Sequence, residues 1–204
     1  NETILSFNFL NGDEVGYLGY AIPPNPNYNS NRIDEYDDTP GNIFIKYDKF
    51  MNFQKGSYNY ITIVHELGHA MGLAHPFDNG GTSTVYDGVQ TSFGDFGDYD
   101  ANLQPLTIMT YNDISSPYVP NTSDSTTGFL ATFGPIDIVT LQFLYGKNTN
   151  FNIGNNTYKF PNNSDGKMWE TIWDSGGINT IDASTSNTNT IINLNDATIK
   201  DNTK

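Results

Sequence analysis

"HELGHAMGLAH", residues 65–75, contains all three histidines of this 204-residue chain. Residues 58–72 around it carry helical periodicity, with Ile61, Val64, Leu67 or Gly68, and Met71 recurring every three to four positions. Ser57 is the expected N-cap, with no capping-box Glu behind it. On such a helix His65 and His69 are spaced i, i+4 and share one face, ~5–6 Å apart at Cβ. That spacing lets two imidazoles grip one metal ion without distorting the helix. Glu66 projects beside them, within reach of a water on that metal. Gly72 can adopt the left-handed conformation that ends a helix, and His75 can then fold back toward the same ion. Three neutral nitrogen ligands suit Zn²⁺ and leave its remaining coordination open to water, the arrangement of a catalytic rather than a structural site. A lone histidine is more often an ordinary core or surface residue, and a bare H-E-x-x-H arises by chance. Gly72 and His75 at fixed further positions make coincidence roughly a thousandfold rarer.

The bulk composition bounds the partners. Nine Lys and Arg against 23 Asp and Glu give a formal charge of −14, so nucleic acid and anionic membrane surfaces would be repelled. With no cysteine, neither disulfides nor thiolate ligands are available. Aromatic residues make up 14% and the mean hydropathy is −0.48, a balance that favours a packed, polar-surfaced fold over disorder. No apolar run approaches the ~18 residues of a membrane span. The N-terminal "NETILSFNFLNGDE" lacks a basic region and a long apolar core and is not expected to be a signal peptide. Starting at Asn1, the chain is expected to be a processed or excised piece.

Outward from the histidines, "TILSFNFL" (3–10), "VGYLGYAI" (15–22) and "NIFIKYD" (42–48) read as strands. Residues 76–106, punctuated by Gly and Asp, form a loop whose length suggests function or a bound ion. Gly134-Pro135 opens a second helix, "PIDIVTLQFLYG", with Asp137 near its positive end and Gly146 just past its close. Beyond it, Asn and Thr dominate and short β-like runs appear at "TYKF", "KMWETIW" and "NTIIN". A domain boundary is expected at about 146–150 on this change of composition. The two parts are then a first domain over 1–147 and the start of a β-rich region over 148–204, with an α+β fold overall.

H-E-x-x-H-x-x-G-x-x-H, complete from His65 to His75, resembles the zinc motif of the metzincin metallopeptidases. In that family a methionine lies in a tight turn beneath the metal, a part that Met109 of "LTIMTYND" (106–113) would take. Within the metzincins the chain looks like a serralysin. His75-Pro76 with the Gly/Asp-rich stretch after it resembles that group's exit from the zinc motif. Tyr111 matches the tyrosine that can act as a fifth zinc ligand. "GPIDIVTLQFLYG" (134–146) is similar to the helix closing the catalytic domain, and "WDSGGINTIDAS" (173–184) with "IINLNDA" (191–197) to the entry of a calcium-loaded β-roll. The resemblance covers residues ~15–200 and is strongest at 65–76, by the motif standard.

This resemblance implies a metzincin-like catalytic domain, with a twisted mixed sheet, an active-site helix and a C-terminal helix. It also implies a secreted, extracellular bacterial zinc endopeptidase acting as a monomer on protein or peptide substrates, with a proteinaceous inhibitor or propeptide as candidate regulators. Glu66 would be the general base, Tyr111 an oxyanion donor, and Gly19, Tyr20 and Ala21 the edge strand that pairs with an extended substrate. Asn152, Gly154, Asn156, Asp174, Gly176 and Gly177 would be the calcium ligands. Here the chain departs from the family, because the G-G-x-G-x-D-x-U-x repeats do not occur. Asn179, Asn152 and Asn156 also replace usual ligands, so calcium binding is expected to be weak at most. Most of the β-roll and any C-terminal secretion signal are expected to lie beyond Lys204 or to be missing. The competing reading is a catalytically inactive zinc-binding scaffold or adhesin module, for which Glu66 would have no use. An astacin or matrixin relationship would keep the chemistry but fits the C-terminal segment poorly.

Overall fold

The structure is a computed structural model, which describes residues 5–11, 16–24, 39–48, 53–80, 83–113, 128–160 and 168–186. Its first element of order is a mixed sheet built round a central strand. "NIFIKY" forms β3 (Asn42–Tyr47), flanked by β1 (Ser6–Asn11) in parallel and by β2 (Gly19–Ala21) in antiparallel pairing, in the order β1-β3-β2. A strand covered on both faces needs apolar residues on both, and Ile43, Phe44 and Ile45 are all buried. Phe44 packs with Leu10 and Ile22 on one side of the sheet. Ile43 and Ile45 pack with Ala70, Ile63 and Leu67 on the other, so they seat the histidine helix against the sheet.

That helix is α1 (Tyr58–Ala70), within the expected 58–72. The Ser57 side chain accepts a hydrogen bond from the Tyr60 N–H at 3.2 Å and so caps a first-turn donor. The helix stops at Met71, and Gly72 follows at φ 93°, the left-handed conformation that lets Leu73 N–H reach back to the Gly68 carbonyl at 2.9 Å. A second helix, α2 (Pro135–Tyr145), starts behind Gly134 and closes at Gly146. Its Asp137 carboxylate accepts from the Gly134 N–H at 2.8 Å. The Tyr145 hydroxyl donates to the Met71 carbonyl and so joins the ends of the two helices.

The strands after α2 are short. β4 (Thr157–Lys159) lies in "TYKF" and pairs in parallel with β5 (Thr180–Asp182). β5 spans three residues, too few for periodicity to reveal it. The expected strand at 167–173 is instead a single bridge from Trp169 to Leu130, while residue 167 and the run at 189–193 lie outside the described residues. The two N-terminal strands are also shorter than their runs, and residues 3, 4 and 15 lie outside the described residues. In β1 the alternation is present, but Phe7 and Phe9 point outward at 43% and 56% exposure. Phe9 meets Tyr47 edge-on across the strand pair. Among the described residues no helix is long and apolar enough to cross a membrane.

Among its described residues the long loop holds one short 3-10 turn, Asp98–Asp100, and is otherwise ordered without helix or strand. Asp95 is its hub, accepting from the backbone N–H groups of Gln90, Thr91 and Gly97. Its carbonyl in turn accepts from the Asn102 and Asn112 side-chain amides, at 2.7 and 3.1 Å. Side chains thus supply the partners that helix and sheet ladders supply elsewhere, which is how a segment this long stays compact.

Candidate metal centre

The chain brings His65, His69 and His75 together, their ligand atoms all within 4.8 Å of one another. Nε2 of His75 lies 3.1 Å from Nε2 of both His65 and His69. The other ring nitrogen of each residue fixes what these contacts mean. Nδ1 of His65 faces the Ile108 carbonyl at 2.8 Å, Nδ1 of His69 the Leu73 carbonyl at 2.9 Å, and Nδ1 of His75 the Asp78 carboxylate at 2.8 Å. Those partners only accept, so each neutral imidazole carries its proton on Nδ1 and leaves a bare lone pair at Nε2. The His75 lone pair faces those of His65 and His69 at hydrogen-bond distance with no proton between them, an arrangement that repels unless a cation sits among the three. Tetrahedral zinc with Zn–N bonds of ~2.0–2.1 Å would set its nitrogen ligands about 3.3–3.4 Å apart, so the residues present fit Zn²⁺.

The protonation states agree with that chemistry. Burial, with repulsion from His69, holds His65 down at about 3, and burial with repulsion from His75 holds His69 at about 4. Burial also lowers His75, against the pull of Asp78. All three are therefore neutral, the form that ligates a metal. Glu66, on the same helix, is 7% exposed, and burial raises its carboxyl to about 8.

These shifts make a test on metal-stripped protein. Stability rises with pH wherever the unfolded chain binds more protons than the native one. Below about 6.5 the unfolded histidines take up protons that native His65 and His69 refuse, so stability falls as pH drops toward 4. Glu66 acts in the opposite direction. Its native carboxyl keeps a proton up to about 8 that the unfolded one releases near 4.5, so it costs stability as pH rises through that window. Of these four groups only the glutamate still exchanges protons above about 6.5, and below it three histidines outweigh one carboxyl. The melting temperature in chelator is expected to peak near pH ~6.5. A steady rise to pH ~8 would contradict a protonated Glu66 in the metal-free protein.

The surroundings of the histidines come from distant segments. Met109 is buried in a turn below α1, packed with Ile61, Leu73 and Leu130. Its sulfur comes so close to the helix that a Cβ on Gly68 would lie 2.6 Å away, which is why this turn of the helix carries glycine. Tyr111 is 43% exposed, and its ring centroid lies 4.7 Å from that of His75 and 6.0 Å from that of His65. Burial, then the negative charges of Glu66 and Asp78, raise its hydroxyl above the usual tyrosine value, so it stays a hydrogen-bond donor at neutral pH. Phe77 stacks on His75 and tilts against Tyr111, completing an aromatic wall.

β2 forms an edge of the described sheet, and Gly19 lies directly over Glu66. A Cβ at Gly19 would lie 2.7 Å from Glu66 Cγ, so the glycine makes room for the carboxylate. Beside this contact opens a cavity of about 520 Å³ lined by Leu18, Tyr58, Ile61, Ile108, Phe129 and Tyr111.

Two residues that the sequence reading gave no part at the centre act here. Asp78 holds His75 through both Nδ1 and the backbone N–H, and its position three residues after the last histidine was the available signal. Asp137 is 2% exposed and accepts from the Thr107 hydroxyl at 2.6 Å and the Ile108 N–H at 2.7 Å. It thereby anchors Ile108, the residue whose carbonyl orients His65. Burial raises its carboxyl, while those donors and Gly134 pull it down. Nothing in the local sequence connects position 137 to position 108.

The candidate calcium ligands also converge, but not on an ion-sized seat. The Asn156 side-chain nitrogen lies 3.1 Å from the Asn152 carbonyl, 2.9 Å from the Gly154 carbonyl and 3.2 Å from Asp174 Oδ2. Gly176 N–H donates to Asp174 Oδ1 at 2.8 Å, and Gly177, at φ 83°, passes so close to Gly154 that no side chain fits. Calcium requires six to eight oxygens around it. An N–H₂ group already fills the space between these three, and Asp174 is the single carboxylate among the six candidates, so the residues present do not fit Ca²⁺.

Comparison with known proteins agrees with the class that the helix-borne histidines suggest. A family model described as Peptidase M10 serralysin C terminal matches residues 136–203. The chain is 35% identical to a protein named Metallopeptidase AprA from Pseudomonas marginalis, over 96% of this chain and 38% of that protein. It is 26% identical to a serralysin of Photorhabdus laumondii, over 98% of this chain and 41% of the relative, and 28% identical to Serralysin B of Dickeya chrysanthemi, over 81% and 36%. These matches place it among the metallopeptidases. Within that class the chain belongs to the serralysin family. It spans about two-fifths of the length of the curated relatives it matches.

Proposed function

We propose that the chain carries the catalytic centre of a secreted bacterial zinc endopeptidase, with His65, His69 and His75 holding the metal. The observation that carries this reading is the convergence of three Nε2 lone pairs whose Nδ1 partners forbid any proton between them. Zinc in that seat would supply a Lewis acid for the scissile carbonyl and lower the pKa of water to ~7. Glu66 takes the proton of the attacking water and delivers it to the leaving amine. The Tyr111 hydroxyl donates to the oxyanion as it develops. β2 at Gly19–Ala21 offers its edge to an extended peptide, and the cavity beside Glu66 receives one of its apolar side chains. The catalytic unit spans residues 1–147, ending after α2, with the β-rich region from 148 onward.

The inactive-scaffold reading leaves the placement of Glu66 without purpose. A scaffold needs the histidines but not a buried carboxylate beside them with a glycine clearing its space. The protein is expected to cleave casein, to lose that activity in chelator and to recover it on adding Zn²⁺. Hydrolysis unaffected by chelation would overturn the metal mechanism, and a zinc-loaded protein inert toward unfolded proteins would favour the scaffold.

A further inference from the structure

We propose that the junction between residues 152–156 and 174–179 is closed by the Asn156 side-chain amide, which occupies the place of a divalent cation and makes the junction independent of calcium. The amide nitrogen offers its hydrogens to Asn152 O, Gly154 O and Asp174 Oδ2. The opposite amide orientation would face an oxygen against three acceptors, so the nitrogen assignment follows from the partners.

The rest of the junction is matched donor to acceptor in the same way. Asn156 N–H donates to Asn179 Oδ1 at 3.0 Å, and Asn179 Nδ2 donates to the Gly176 carbonyl at 3.2 Å. Ile178 N–H donates to Asn155 Oδ1 at 2.8 Å, and the Tyr158 hydroxyl donates to Asp174. That hydroxyl and Gly176 N–H hold the Asp174 carboxyl below its ordinary range without any ion. Oxygens that a cation would draw together are instead spanned by neutral N–H groups, and one carboxylate provides all the negative charge. Replacing Asn156 by Asp would remove the bridging donor and set a second carboxylate against Asp174. The two then repel until a divalent cation enters.

Thermal melts in chelator and in millimolar Ca²⁺ test this, together with Tb³⁺ luminescence sensitised by Trp173 and Tyr158. The wild type is expected to respond to calcium no differently from Asp174→Asn. Asn156→Asp is expected to melt lower in chelator and to regain roughly 5–10 °C with calcium about 100-fold above its Kd. It should also gain sensitised Tb³⁺ emission that Asp174→Asn removes. A wild-type calcium response abolished by Asp174→Asn would overturn the proposal. So would an Asn156→Asp protein that ignores calcium or stays unfolded in its presence.

Discussion

Glu66→Gln is expected to lower kcat by at least the ~10²–10⁴ typical of a lost general base, while metal content and melting behaviour stay near those of the wild type. The expectation follows from where the side chain sits. Glu66 is 7% exposed, next to His65 in sequence and under the side-chain-free strand position Gly19, so an isosteric amide fits the same space. The amide cannot accept the proton of the attacking water. Binding of the extended substrate, which relies on β2 and the adjoining cavity, should change little, so the loss belongs in kcat rather than in KM. Near-wild-type turnover in this variant would move the base to another residue. Turnover lost together with the metal would mean that Glu66 acts through the fold.

Asp137→Ala is the second large effect, and it is one of stability. The carboxylate is 2% exposed and accepts from Thr107, Ile108 and Gly134 at 2.6–2.8 Å. Truncation leaves buried donors without partners and frees the start of α2, at a cost of about 3–5 kcal/mol. The effect should also reach the metal centre, because Ile108 supplies the carbonyl that orients His65. Denaturant melts with and without zinc would measure both consequences. A loss below about 1 kcal/mol would show that the Met109 turn is held by packing alone.

The contrast between these two residues shows what a sequence exposes. The grouping of His65, His69 and Glu66 is set by helical periodicity, and His75 returns because Gly72 turns the chain, so local geometry suffices to bring them together. The central strand "NIFIKY" and the Gly134-Pro135 helix start are legible for the same reason. Asp137 reaches Ile108 across 29 residues, and its local context suggested only a favourable place near a helix N-terminus. Gly19 meets Glu66 only once the sheet has formed. The loop hub at Asp95 was hidden because side-chain to backbone bonds have no period. β1 shows a different limit. Its alternation identified a strand, but not that Phe7 and Phe9 would face outward, since period alone does not say which face is covered.

Metal analysis of protein purified without chelators tests the central claim most directly. The geometry of His65, His69 and His75 predicts about one zinc per chain, retained through gel filtration and lost when His69 is replaced by Ala. Protein that holds no zinc and takes up none when Zn²⁺ is supplied would contradict it.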